Sequence, residues 1–383
     1  MSYIRRAAPV ACSIYERVPS GGVVKPLDGA AGFDVIYARG AGGSPSNRLS
    51  GVTMTLMASE ISGVGQACDT SGFVPARRPY SVRRAISVDV DRPMGRSGDI
   101  LVAARGTDLL TLGTSDDVVR VAEESLQARI TSGRVIQEIE AAPRIPGIEN
   151  LVGRNSLRGL RAAIRQEVDG EAIAARPARV MLDDLVGISI IADVAWLYWP
   201  DAAGPVEAEA GKQIPPVGTC VGFRPGASSL AGTFGPEDVR RVPNLNRGGD
   251  QDAFHALPPG HGPSVRRIRR IDVWVDGDIH IEAMFQDTAS LPDGGRAGVH
   301  EYALTATVDA STRRVLTLTP QPMLLPYREC FDAPASLAAL IGMPLAKLRE
   351  SVLVQLRGMA GCTHLNDAAR ALSEVGELAD MLR

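Results

Sequence analysis

The stretch Ser81–Asp108, "SVRRAISVDVDRPMGRSGDILVAARGTD", is written a second time in this chain. From Ser264 to Thr288 the sequence reads "SVRRIRRIDVWVDGDIHIEAMFQDT". Both begin Ser-Val-Arg-Arg, and both reach Gly-Asp-Ile, at Gly98-Asp99-Ile100 and Gly277-Asp278-Ile279. Each then runs to an aspartate, Asp108 or Asp287. Apolar residues alternate through both copies, the period of antiparallel strands with one buried face.

The parallel continues in order. "SGRVIQEIEAAPRIP" matches "TRRVLTLTPQPMLLP", a strand running into a proline-rich loop. "ENLVGRNSLRGLRAAIRQEV" matches "AALIGMPLAKLRESVLVQL", with Gly153 against Gly342 and Leu157 and Leu160 against Leu345 and Leu348. Both have helical period and propensity. Last, "ARVMLDDL" matches "GCTHLNDA", with Leu182 against Leu365 and Asp184 against Asp367. Matches in the same order through successive elements predict an internal duplication. The fold class is therefore α+β: two repeats, each an antiparallel β-meander with helices packed on one face, because each helix has one apolar stripe. The boundaries follow. Residues 1–195 hold the degenerate first repeat behind a Gly/Ser-rich leading segment. Residues 196–262 are a Gly/Pro-rich connector, arm or lid, too long for a tight connection. Residues 263–383 are the second repeat and carry the expected site.

The chain has 383 residues, 45 % apolar and 22 % charged, which suits a globular protein with a sizeable core. A formal net charge of −3 gives no global attraction to nucleic acid or to a membrane surface. The basic run Arg266-Arg267-Ile268-Arg269-Arg270 reads as a solvated strand face. Five cysteines, Cys12, Cys68, Cys220, Cys330 and Cys362, are dispersed and odd in number, unlike a secreted disulfide framework. No apolar run approaches a membrane span and no signal-like segment opens the chain, so the expected location is the cytoplasm. Neither C-x-x-C, H-E-x-x-H nor G-x-S-x-G occurs, and no glycine run has the context of a nucleotide loop. No cofactor is expected.

Comparing the copies locates the chemistry. The second holds His280, His300, His364, Cys330 and Cys362; where it has Cys362 and His364, the first has Arg179 and Met181. Where the second reads "PYREC", the first reads "PGIEN", without Tyr327, Arg328 or Cys330. The fold is thus served without these side chains. His300 shares one strand parity with Tyr302 and Leu304 and should face inward. Cys362 and His364 stand where a helix begins, and its partial positive charge favours a thiolate and a neutral imidazole. Tyr327 offers a phenol and Arg328 an anion-binding fork.

These parts suggest a cofactor-independent enzyme acting on a small aromatic or hydroxylated catabolic substrate. A lyase of the retro-aldol or deformylating type needs a base, an anion stabiliser and a dry pocket. His364 is the expected base with His300 its rival, and Tyr327 completes the catalytic set. Arg328, Cys362 and Cys330 would contact substrate. Isomerisation or hydration would use the same parts. One alternative is a zinc or iron site of Cys330, Cys362 and His364, completed by His300 or Asp287. Another is a non-catalytic binding module. The expected partner is a small molecule, not nucleic acid or membrane, and a duplicated domain leaves a homodimer open.

The segment from Arg266 to Leu378 resembles the bacterial family known as domain of unknown function 2889. The likeness is carried by the arginines before the first strand, "DGDIHIEAMFQDT", "AGVHEYALTATVD", the loop cysteine Cys330 and above all "GCTHL". A degenerate copy lies at 81–195. The resemblance implies a domain and no activity. The order of meander, loop cysteine, helices and a last helix starting at a cysteine is also similar to the iron–sulfur scaffold fold. That likeness would give Cys330 and Cys362 two ligand places.

Overall fold

The computed structural model describes residues 74–383 apart from 115–116, 169, 200–201, 203–216, 232–238, 246–249, 251 and 261. Cys12 and Cys68 lie outside the described residues. Nine strands form one antiparallel sheet: β1 (Ser81–Asp91), β2 (Ile100–Thr111), β3 (Val118–Ile130), β4 (Ile136–Ala142), β5 (Arg241–Val242), β6 (Ser264–Asp276), β7 (Asp278–Ser290), β8 (Arg296–Val308) and β9 (Val315–Leu324). The order is β4-β3-β2-β1-β6-β7-β8-β5, with β9 also paired to β8. Read outward from the β1–β6 pair, either half is a four-strand meander. The register between the two central strands is itself symmetric. Ile86 faces Arg269, Arg84 faces Ile271, and Val88 faces Arg267. The turn Pro292-Asp293-Gly294-Gly295 joins β7 to β8, and both glycines take the positive φ that a side chain would resist.

The helices are α1 (Leu160–Glu167), α2 (Pro177–Ile191), α3 (Leu345–Gln355), α4 (Thr363–Ala371) and α5 (Val375–Asp380). Pro177 opens α2 at its first turn, where its missing N–H costs nothing. Ala178, Met181, Leu182, Leu185 and Ile188 of α2 are buried in the main core with Leu365, Ala368 and Ala369 of α4 and the inward residues of β1 and β6. None of the helices among the described residues is long and apolar enough to cross a membrane.

The other sheet face is partly covered by the segment around Ala253 and Phe254, which packs with Val74, Ala85 and Ile268 in a small second core. Parts of 196–262 therefore lie along the sheet. The central strands are consequently buried on both faces. This corrects the reading of Arg266–Arg270 as a solvated strand face. All four arginines of the run are buried.

They are held by ion pairs between layers. Arg84 makes a two-toothed pair with Asp108, at 2.7 and 2.6 Å. Arg267, the fourth residue of the second Ser-Val-Arg-Arg, makes the same pair with Asp287, at 2.8 and 2.9 Å. Arg267 also donates through Nη1 to Asp184 of α2 (2.9 Å) and to Asp367 of α4 (3.0 Å). Arg269 takes both oxygens of Asp184, at 2.7 and 2.5 Å. Arg161 closes on Asp367 from α1 at 2.7 Å. The two aspartates aligned by sequence, Asp184 and Asp367, thus meet at one guanidinium. Gly187 makes room for this: a Cβ there would fall on Arg267 Nη1 and Asp367 Oδ2. Phe285 lies 4.7 Å beneath the guanidinium carbons of both Arg267 and Arg269.

Removing one partner of a buried ion pair strands the other charge, at a cost of about 3–5 kcal/mol. Arg267→Met strands Asp287 and takes one of several partners from Asp184 and Asp367, which keep Arg269 and Arg161, whereas Arg84→Met strands Asp108 alone. Equilibrium denaturation should show both variants destabilised, Arg267→Met by more. Equal losses would mean that the convergence of three carboxylates contributes nothing beyond a single pair.

Candidate functional site

Strand β7 puts Asp287 on the helix-bearing face, and the β7–β8 register sets His300 directly opposite it. Phe285 and Tyr302 face each other two residues along. From the helix side, Cys362 is the N-cap of α4 and His364 lies in its first turn. The imidazole of His364 stacks on that of His300, centroids 3.5 Å apart and planes 15° from parallel. Its Nδ1 is 3.9 Å from Cys362 Sγ and 3.3 Å from Thr363 Oγ1. Its Nε2 is 3.7 Å from Asp287 Oδ2, the carboxylate already held by Arg267. Tyr302 donates its hydroxyl to Cys362 Sγ at 3.6 Å.

Cys330 approaches from the loop after β9, and Cys220 from the segment between the halves. That segment is tied to the site by a backbone bond from Val221 N–H to Gly361 O, 2.9 Å. Gly222 sits where a Cβ would come within 2.7 Å of Cys330 Sγ and 3.7 Å of Cys220 Sγ. All three cysteines are buried and free. One ligand atom from each of His300, Cys362 and His364 lies within 4.8 Å of the others.

The site is dry. Tyr302 is 0 % exposed, Cys362 1 %, Cys330 3 %, His300 7 % and His364 8 %. Burial, with help from Arg267, holds His364 neutral and drops its pKa to about 3. Burial and the neighbouring His364 push His300 the same way. A neutral imidazole was expected; its cause is desolvation more than the helix terminus. The thiol differs from expectation. Backbone N–H groups of His364 and Leu365 do point at Cys362 Sγ, but burial wins and raises its pKa to about 11. Burial also raises the Cys330 and Cys220 thiols and the Tyr302 phenol. Asp367 stays ionised against its burial because Arg161, Arg267 and Arg370 surround it.

The structure brings together His300, His364 and Cys362, with Cys330 beside them. Tyr327 is half-buried at the rim, its ring edge-on to Phe223 at 5.7 Å, and Cys330 and Cys220 help burial raise its phenol. Arg328 is not part of the cluster. Its side chain is 82 % exposed and pairs with Glu329 at 2.9 Å. His280 stacks on Trp274 away from the site, centroids 5.3 Å apart.

Two contributors were missed. Tyr302 was assigned the right face and no role, although its parity with His300 pointed here. Cys220 looked like connector; its flanking glycines, Gly218 and Gly222, were the only local sign. Among the described residues the first half holds no comparable cluster. Ala122 faces Asp108 where His300 faces Asp287, and Glu124 stands where Tyr302 does. Met181 is fully buried, and Arg179 points to Glu374 at 3.6 Å.

Thiol counting tests this burial. With Cys12 and Cys68 replaced by serine, the native protein should show no thiol that reacts promptly with an aromatic disulfide reagent. Unfolding should release three. A fast-reacting thiol in the native state would show that the cluster opens to solvent.

No curated protein matches the chain, and no solved structure does. A family model described as a protein of unknown function, DUF2889, matches residues 265–376. The matched segment contains Arg267, Asp287, His300, Tyr302, Cys330, Cys362 and His364, and stops short of Asp184 and Cys220 in the other direction. Residues 265–376, which hold His300, Cys330, Cys362 and His364 but not Cys220, are thus similar to the DUF2889 family model.

Proposed function

We propose that the second half of this protein carries a transition-metal centre held by His300, Cys362 and His364. We read the two halves as copies of one unit, of which the second alone acquired ligands. The observation that carries the proposal is the convergence of three donor atoms within 4.8 Å in a sealed core. His300 Nδ1 is buried there without a hydrogen-bond partner among the described residues, and His364 turns Nδ1 toward Cys362 Sγ, leaving Nε2 to Asp287. A buried polar atom left without a partner costs about 1–3 kcal/mol, and a metal ion would satisfy it. Thiolate and imidazole together suit zinc or iron. Bonds of about 2.0 Å to nitrogen and 2.3 Å to sulfur require ligand atoms closer than those seen here. Closure by about 1 Å is needed. It requires the stacked rings of His300 and His364 to turn out of parallel, so that an in-plane nitrogen lone pair of each meets the same ion.

The rest of the cluster supports the reading. The Tyr302 hydroxyl donates to Cys362 Sγ at 3.6 Å, beside the three donors, and Cys330 lies near Cys362. Asp287 lies beyond His364, and a carboxylate behind a ligating histidine fixes its ring and raises its basicity. Arg267 in turn fixes Asp287.

A second reading uses the same residues for metal-free acid–base chemistry, a retro-aldol lyase with His364 as base. Asp287 beside Nε2 favours it, because a carboxylate there orients an imidazole base. The two readings part on one experiment. Protein purified without chelator is analysed for metals, stripped, and titrated with Zn(II) and Co(II). The metal reading expects about one ion per chain and a thiolate-to-cobalt charge-transfer band. It also expects both to be lost in Cys362→Ser and in His364→Gln while the folded far-ultraviolet dichroism persists. A folded, metal-free protein that takes up neither ion would contradict it. If that metal-free protein also turned over small hydroxylated metabolites, and lost this with His364→Gln, the lyase reading would stand instead.

A further inference from the structure

The sheet face turned away from this centre carries a separate cleft of about 440 Å³. It lies among β6, β7 and the start of β8 and is roofed by residues from Val242 to Leu245 and from Phe254 to Gly260. Strand parity separates it from the metal centre. Arg266, Ile268, Gln286 and Thr288 line the cleft, whereas Arg267, Phe285 and Asp287 face the helices. Its volume falls within the range of small-molecule sites, about 300–1,000 Å³.

The wall is chemically divided. One side is apolar, formed by Phe254, Leu257 and Ile268 among others. The other presents the guanidiniums of Arg266 and Arg296. Arg266 is paired with Asp89 and donates to Pro258 O. Arg296 has no carboxylate in ion-pair range among the described residues. Its Nε donates to Thr288 Oγ1 at 2.7 Å, and its Nη1 and Nη2 to Ser264 Oγ and Thr288 O at 3.3 and 3.2 Å. All three acceptors are neutral. Burial and the nearby Arg266 lower the Arg296 pKa to about 10, against the pull of Asp89 and Asp91. Beside them His255 spends Nε2 on Ser87 Oγ at 2.7 Å, while its Nδ1 is buried with no partner among the described residues. A guanidinium in a low-dielectric wall with only neutral partners gains most from an anion that can accept two parallel hydrogen bonds.

We infer that this cleft binds a small organic carboxylate, its anionic end on Arg296 and its apolar body against Phe254, Leu257 and Ile268. The inference does not depend on the metal centre and survives if that centre is absent.

Calorimetric titration tests it with butyrate, hexanoate, benzoate and cinnamate, each beside its primary amide, and with inorganic phosphate. The amides match the carboxylates in shape and lack the charge. At least one carboxylate should bind saturably and about tenfold or more tighter than its amide, the difference expected for a hydrogen-bonded charge. Arg296→Gln should remove that preference and leave the amide's affinity unchanged. If no carboxylate binds better than its amide to the wild-type protein, the inference is wrong, and this comparison needs no variant. Phosphate binding as tightly as the best carboxylate would also overturn it, since the apolar wall would then play no part. Retention of the full preference in folded Arg296→Gln would place the anion elsewhere and overturn the assignment.

Discussion

Arg267 joins the two layers of this molecule. Its guanidinium lies inside the sheet–helix interface with no contact to water, and three carboxylates from three elements reach it. Removing a guanidinium from water is expensive, and only near-complete satisfaction of its donors offsets the cost. Here Asp287 on β7 takes the two-toothed face, while Asp184 on α2 and Asp367 on α4 share Nη1. The geometry leaves little freedom. α2 and α4 must both approach at the level of Arg267, and Gly187 is where they can. Once they do, His364 is carried to Asp287, and His300 waits across the strand pair. The ionic core therefore positions the His–Cys cluster.

Much of this was legible in the sequence. The repeated Ser-Val-Arg-Arg, the Gly-Asp-Ile and the terminal aspartates identified the strands and the residues that later prove to pair. Parity placed His300 and Tyr302 inward, and the mismatch of Met181 with His364 marked the half that holds the cluster. What could not be read was long-range charge pairing. Arg266–Arg270 looks like a surface because arginine usually is one. Its partners on α2 and α4 are distant in the chain, and no local pattern announces them. The alignment of Asp184 with Asp367 was visible, but that both would meet one guanidinium required the register of β1 on β6. Cys220 was missed because a backbone bond from Val221 to Gly361 brings it in, and backbone bonds leave no sequence trace. The Cys362 thiol was misjudged for a related reason. A helix terminus is a local feature, whereas burial is a property of the assembled core, and burial outweighed it.

The two faces of the sheet differ in kind. The helix-bearing face is buried against the helices and holds the ionic core and the His–Cys cluster. The opposite face has a thinner cover and a cleft where arginines meet neutral oxygens. The first half also has an ionic pair, Arg84 with Asp108, and has Ala122, Glu124 and Met181 at the positions matching His300, Tyr302 and His364. The ion pair thus occurs in both halves, and the His–Cys cluster lies in the second.

X-ray absorption at the metal edge of the zinc- or iron-loaded protein tests this account most directly. It predicts one sulfur scatterer at about 2.3 Å and two imidazole nitrogens at about 2.0–2.1 Å, with the outer-shell scattering typical of histidine rings. A first shell of oxygen alone, or no ion retained by the folded protein, would contradict a centre built from His300, Cys362 and His364.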